Sequence, residues 1–168
     1  YSGTAECGAG WGMGSFWGYD PWLIKHPECY LWDRARITRL TGIIEYGSPE
    51  VRKEYVRRMD EMFKGAWGRY EGIFMYSFME NMSSHDTDEY IYSDFAVLDF
   101  KQRYGVDVRT QSFDLEKYYA MRGEYITQYL REIRPVFQKH GKKLAMALNG
   151  DNLEWPQLWV CGAGVWPK

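Results

Sequence analysis

Gly72-Ile73-Phe74-Met75-Tyr76-Ser77-Phe78 is a continuous apolar run behind one amphipathic helix pattern, and Lys143-Leu144-Ala145-Met146-Ala147-Leu148-Asn149 is a second run behind another. Runs that are apolar throughout, rather than alternating, read as parallel strands buried on both faces. The order helix, strand, helix, strand then predicts a right-handed crossover and an α/β fold. Each run empties into acid-bearing sequence: Met79-Glu80-Asn81 after the first, and Gly150-Asp151-Asn152-Leu153-Glu154-Trp155 after the second. Ligands and barrel catalytic groups sit at the carboxyl ends of parallel strands, so the two exits predict a single functional rim.

Both helices are well punctuated. The first is expected from Ser48-Pro49 to about Trp67. Ser48 serves as N-cap, Pro49 stands where its missing N–H is harmless, and Glu50 faces the positive end of the helix dipole. Val51, Tyr55, Met59, Met62, Phe63 and Trp67 recur at three- or four-residue steps, an apolar stripe fit to cover a sheet. The second helix is expected from Asp114 to His140, closed by Gly141, with Pro135 bending it or dividing it in two. Between the two units Asp94 reads as the N-cap of a short helix through Phe95, Leu98, Phe100 and Tyr104, stopped by Gly105. Residues 1–47 are expected to be a glycine- and aromatic-rich loop region and 48–168 one α/β segment. Two readings of the loop region stand level, a flexible lead-in and a loop laying aromatic rings across a binding rim.

With 168 residues the chain suits one domain, but a complete eight-stranded barrel takes roughly 250. It opens on Tyr1-Ser2-Gly3, stops at Trp166-Pro167-Lys168, and reads as part of something longer. Bare strand edges then predict self-association or docking of the remaining segments.

Charge and hydropathy narrow the partners. Aromatics make up 18% and charged residues 26%, and no apolar run approaches a membrane span. A net charge of −2 without a concentrated basic face argues against nucleic acid. Arg52, Lys53, Arg57 and Arg58 alternate with Glu50, Glu54, Asp60 and Glu61 and read as a solvated helix face. Cys7, Cys29 and Cys161 form no CxxC pair, which leaves room for one disulfide and one thiol. Localisation stays open, export to the periplasm or outside the cell included.

Glu80 is the first catalytic candidate. Apolar neighbours Phe78 and Met79 would desolvate its carboxyl and raise its pKa above the ~4.3 of a model glutamate, as a general acid requires; the competing reading is a surface or helix-capping carboxylate. Asn81 is placed to hydrogen-bond a sugar hydroxyl. Glycoside hydrolysis needs a second carboxylate, ~5–5.5 Å away for retention or ~6.5–9.5 Å for inversion. Asp151 and Glu154 are the partners on the next loop, and Asp86 and Asp88 on the long acidic loop. His85-Asp86 with Asp88 and Glu89 reads as a solvated loop rather than a metal site, since the glycine of a calcium loop is missing. His26, before Pro27, and His140, in a last helical turn, read as structural. No phosphate loop or nucleophile elbow is present, and no cofactor is called for.

Three segments together resemble glycoside-hydrolase-like TIM-barrel proteins, the family-10-like glycosyl hydrolase group. They are His26-Pro27-Glu28 with Asp33-Arg34, then Tyr46-Gly47-Ser48-Pro49-Glu50-Val51-Arg52, then Arg103-Tyr104-Gly105-Val106-Asp107 with Arg122-Gly123-Glu124-Tyr125-Ile126-Thr127. The resemblance covers roughly residues 26–150. It implies part of a (β/α)8 TIM barrel, with 72–78 and 143–149 as neighbouring central strands and flanking helices. The activity implied is hydrolysis of a polysaccharide or oligosaccharide, with Glu80 as general acid/base and Asp151 or Glu154 as partner. Trp11, Trp17, Trp22 and Trp155 would stack on sugar faces, and Asn81 and Asn149 would contact hydroxyls. The alternative is a non-catalytic carbohydrate-binding or structural α/β unit using the same aromatics.

Overall fold

The two apolar runs pair as parallel neighbours. In the computed structural model, which describes residues 2–3, 21–75 and 91–146, β4 (Gly72–Met75) lies beside β5 (Lys143–Met146), with Gly72 opposite Lys143 and Met75 opposite Met146. A third parallel strand, β1 (Ser2–Gly3), pairs with the other edge of β4 and sets the order β1-β4-β5. Mixed helix and parallel strand is therefore the architecture, an α/β unit as expected.

Residues 21–44 are more regular than their glycine-rich surroundings suggest. A short helix α1 (Pro21–Ile24) and a 3-10 turn (Pro27–Cys29) lead into an antiparallel hairpin of β2 (Tyr30–Trp32) and β3 (Arg39–Ile44). This corrects the expectation of a loop there. The dense glycines stop at Gly18, and from residue 21 to 44 only Gly42 interrupts. The hairpin turns through Arg36, which holds a left-handed φ of 60°, while Asp33 accepts the amide hydrogens of Ile37 and Thr38.

Helix α2 (Pro49–Lys64) starts as its sequence dictates: Ser48 Oγ accepts from the Val51 amide, and Pro49 occupies the first turn. Helix α3 (Asp94–Tyr104) starts one residue earlier than expected. Ser93 is the N-cap, accepting from Ala96 at 2.9 Å, and Asp94 faces the helix dipole from the first turn. Gly105 closes α3 at φ 73°, a left-handed position free of steric cost for glycine. Helix α4 (Leu115–Lys139) is capped by Asp114 and runs through Pro135 as a single element. Pro135 and Arg131, four residues earlier, are both exposed, so the hydrogen bond lost to proline is lost on the solvent side, where water can replace it.

Helices α2 and α4 pack side by side. Val51, Tyr55, Met59 and Phe63 are buried on α2, and Tyr129, Ile133 and Phe137 on α4. Phe63 meets Phe137 edge-on at 5.0 Å and Tyr46 meets Tyr129 at 4.7 Å, and Ile73 of β4 belongs to the same core. Arg57 and Arg58 do pair along the helix with Glu54. Arg52 departs from the solvated-face expectation: its guanidinium reaches across to Glu132 on α4 and donates to the carbonyls of Tyr46 and Gly47.

At the amino end of the strands Lys142 Nζ donates to the carbonyls of Gly68 and Tyr70, and the Lys143 amide to Glu71. There Asp60 receives Lys139, Lys64 and His140. His140 is thus structural, with its ring against Phe63. Hydrogen bonds from Lys139, Lys64 and His140, in that order, hold the Asp60 carboxyl well below the usual carboxylate range.

Two outcomes are expected. A Cβ on Gly72 would fall on the Lys143 carbonyl of the neighbouring strand. Gly72→Ala should therefore lower the urea-measured unfolding free energy by about 3 kcal/mol or more, while Gly105→Ala, with open space around it, should lose only about 1–2 kcal/mol. A depressed carboxylate stabilises the fold above its unfolded pKa of about 3.9, and that contribution is lost as pH falls toward the folded value. The stability gap between the parent and Asp60→Asn should accordingly be constant near neutrality and shrink as pH drops below about 4; a gap independent of pH would remove Asp60 from that role.

Candidate functional site

Strand direction defines two ends. Chain leaves β4 at Met75 and β5 at Met146, and these residues are paired in register. Glu80 stands five residues past Met75 and Asp151 five residues past Met146. Glu80, Asn81, Asp86, Asp88, Asn149, Asp151, Glu154, Trp155, Trp11 and Trp17 lie outside the described residues. Trp22 is described: it is half-buried in α1, packs against the core, and stacks on the His26 ring at 4.0 Å. His26 in turn lies 2.9 Å from Glu28 Oε1, which gives it the structural part expected of it.

The described residues nearest this end form a layer of their own. Because α2 runs from Ser48 down to the turn before β4, its start lies at the carboxyl end of the sheet. Arg52 meets Glu132, and Asp60 meets Lys139 and His140, so α2 and α4 run in the same direction. With 16 and 25 residues they are about 24 and about 37 Å long. Residues 115–127 of α4 therefore project past the start of α2, on the side where β4 and β5 end.

Aromatic packing holds α3 and the 105–114 connection onto this overhang. Tyr118 stacks on Tyr92, meets Phe100 and Phe113 edge-on, and donates from its hydroxyl to the Ile91 carbonyl at 2.8 Å. Tyr125 packs on Phe95 and donates to Asp99. The hairpin completes the layer through arginines. Arg36 forks onto both oxygens of Asp94 at 2.7 and 2.8 Å. Arg109 joins the same carboxylate and the Tyr92 carbonyl, and Arg34 donates to the carbonyls of Val108 and Gln111. Bidentate arginine pairs of this kind have the geometry that gives strong, oriented hydrogen bonds.

One buried acid joins this layer to the body below. Glu45, between β3 and α2, is only 1% exposed. One oxygen accepts the Gly47 amide at 3.0 Å and the other the Ser93 hydroxyl at 2.7 Å. Burial desolvates a carboxylate, and hydrogen bonds to both oxygens are what make the position tolerable. Buried Arg122 lies in the same region, since both its charge and that of Glu45 bear on Tyr118. Glu45 was legible by the signal that singled out Glu80: in Ile43-Ile44-Glu45-Tyr46 a carboxylate follows an apolar run, the same sequence pattern read at Phe78-Met79-Glu80.

Chemically, the described part of this end offers a buried acceptor, a cluster of phenols and a buried thiol. Among the described residues no group of His, Cys, Asp and Glu is arranged to hold a metal ion, and no helix is long and apolar enough to cross a membrane. Comparison with protein-family models, with curated proteins and with solved structures returned no significant match.

Cys29 is fully buried and free, beside Ser48 and close to Glu45. Burial, with a smaller push from the nearby carboxylates, raises its thiol to about 12. The thiolate is the reactive form, so at pH 8 Cys29 should resist iodoacetamide in the folded protein and react on unfolding, as peptide mass mapping would read. The sign of the linkage follows: a raised thiol pKa means stability declines as pH climbs above the unfolded value of about 8.5. Labelling of native Cys29 at the rate of a free thiol would overturn this placement.

Proposed function

We propose that the chain forms part of a (β/α)8 barrel and acts as a glycoside hydrolase on polysaccharide or oligosaccharide. Glu80 is its general acid/base, and Asp151 or Glu154 the partner carboxylate or a substrate ligand. The observation that supports this is the register of β4 and β5. Adjacent parallel strands lie about 4.8 Å apart, and the segments bearing Glu80 and Asp151 leave them at the same level and at equal sequence distance. Carboxylates carried on neighbouring exits suit the ~5–9.5 Å separations that glycoside hydrolysis uses. A parallel sheet also brings its ligand to this end, where loops rather than core packing decide the chemistry.

In this reading Glu80 protonates the glycosidic oxygen as the bond breaks, and the partner either attacks the anomeric carbon or activates water, according to its distance. Asn81 and Asn149 bind sugar hydroxyls, and Trp11, Trp17 and Trp155 stack on sugar faces. Trp22, already stacked on His26, is the least suited of the four indoles.

Reducing-sugar release from a panel of oligosaccharides, alongside binding by calorimetry, tests the proposal. Glu80→Gln should cut turnover by ~10²–10⁴-fold while affinity for the cleaved sugar stays close to that of the parent. Unchanged turnover would remove Glu80 from catalysis. Sugar binding without hydrolysis by the parent chain would favour a non-catalytic carbohydrate-binding unit instead.

A further inference from the structure

Several arginines on the helices meet carboxylates of their own. Arg52 meets Glu132, Arg57 meets Glu54 and Glu61, Arg58 shares Glu54, and Arg103 meets both Asp99 and Glu124. The hairpin is different: residues 34–39 are all exposed and hold three arginines and no acid. Arg34 spends its guanidinium on the carbonyls of Val108 and Gln111 and lies over the Phe113 ring at 5.2 Å. Arg36 shares the single carboxylate of Asp94 with Arg109, whose Nη1 also approaches the carbonyls of Asp33 and Arg34. Arg39 lies 4.3 Å over the Tyr30 ring and meets no carboxylate among the described residues. Asp33 is turned to the amides of Ile37 and Thr38. These four arginines, set against Asp33 and Asp94, leave a local charge of about +2 on a chain whose net charge is −2. Carbonyls satisfy N–H donors without neutralising the cation, and a guanidinium resting on a ring face keeps its in-plane N–H groups for an acceptor.

We propose that the hairpin is a subsite for an anionic glycan, a uronate-bearing polysaccharide or oligosaccharide. Arg39 receives a uronate carboxylate on its planar fork, and Arg34 and Arg36 add charge attraction from beside it. The proposal rests on the glycoside hydrolase reading and narrows its substrate class, since the hairpin belongs to the layer at the end of the sheet where that reading puts the sugar. A neutral sugar would leave the excess positive charge unanswered. A glycan with a carboxylate on successive residues answers it at several points, which weak exposed ion pairs need if they are to add up to affinity.

Calorimetry on the full chain tests this with an oligomer of galacturonic acid, the neutral galactose oligomer of equal length, and oligoglutamate. The galacturonate oligomer should bind more tightly than either of the others. Its affinity should fall as salt rises from about 0.01 to about 0.15 M, where the screening length drops from ~30 to ~8 Å. Arg39→Gln should weaken it roughly 2- to 5-fold, the range of an exposed ion pair, while Arg57→Gln on α2 leaves it unchanged. Arg39→Lys, which keeps the charge and loses the fork, should fall between Arg39→Gln and the parent. Absence of galacturonate binding, equal binding of the galactose oligomer, or an Arg39→Gln variant that binds like the parent would overturn the subsite. Oligoglutamate bound as tightly as galacturonate would overturn it in favour of an acidic peptide partner. The two readings fail separately: galacturonate bound through Arg39 and never cleaved would remove the hydrolase reading, whereas galactose oligomers cleaved with galacturonate ignored would remove only the anionic subsite.

Discussion

Parallel strands cannot be joined by a tight turn, so pairing β4 with β5 obliges the chain to leave one end of the sheet and return to the other. That obligation organises the rest of the molecule. Helices α3 and α4 exist within the return path, and α2 makes the equivalent approach to β4. Gly72 lets the two backbones meet at the start of the pair, because any side chain there would strike Lys143. From that point the register carries Met75 to Met146 and sends both chain exits out at the same level.

The helix pair is held by packing, and its charges mainly set alignment. Buried Tyr55, Met59, Phe63, Tyr129 and Phe137 supply the apolar area, and burial of apolar side chains such as Met59, Phe63 and Phe137 is worth about 1.5–3 kcal/mol each. Exposed pairs such as Arg57 with Glu61 add a few tenths of a kcal/mol at most. Arg52 differs because it is largely buried and bonded to two carbonyls and a carboxylate, so it fixes how α2 and α4 slide against each other. Since α4 is the longer, this alignment is also what leaves its first turns projecting as a platform for α3 and the hairpin.

Local signals explain what was readable in advance. Ser48-Pro49, Asp114, Gly105 and Gly141 act within one helical turn of themselves, and each marks an end found in the structure. Ser93 and Asp94 are both good caps, and only the geometry of α3 chose between them. The hairpin escaped because β2 has only three residues and the turn runs through Arg36, a residue whose left-handed backbone no turn rule anticipates. That conformation is accompanied by one contact distant in sequence, the fork onto Asp94, and one within the hairpin, the stacking of the Arg36 guanidinium over Trp32.

Sequence by itself determined the two long helices, the apolar strands β4 and β5, and their parallel order, because period, caps and apolar runs are properties of neighbouring residues. Tertiary structure alone decided the pairing of β1 with β4, the burial of Arg52 and Glu45, and the docking of the hairpin onto α3. Each of these depends on groups tens of residues apart, such as Glu45 with Ser93 and Arg36 with Asp94, whose meeting is dictated by how α2 and α4 align and not by any pattern within either segment.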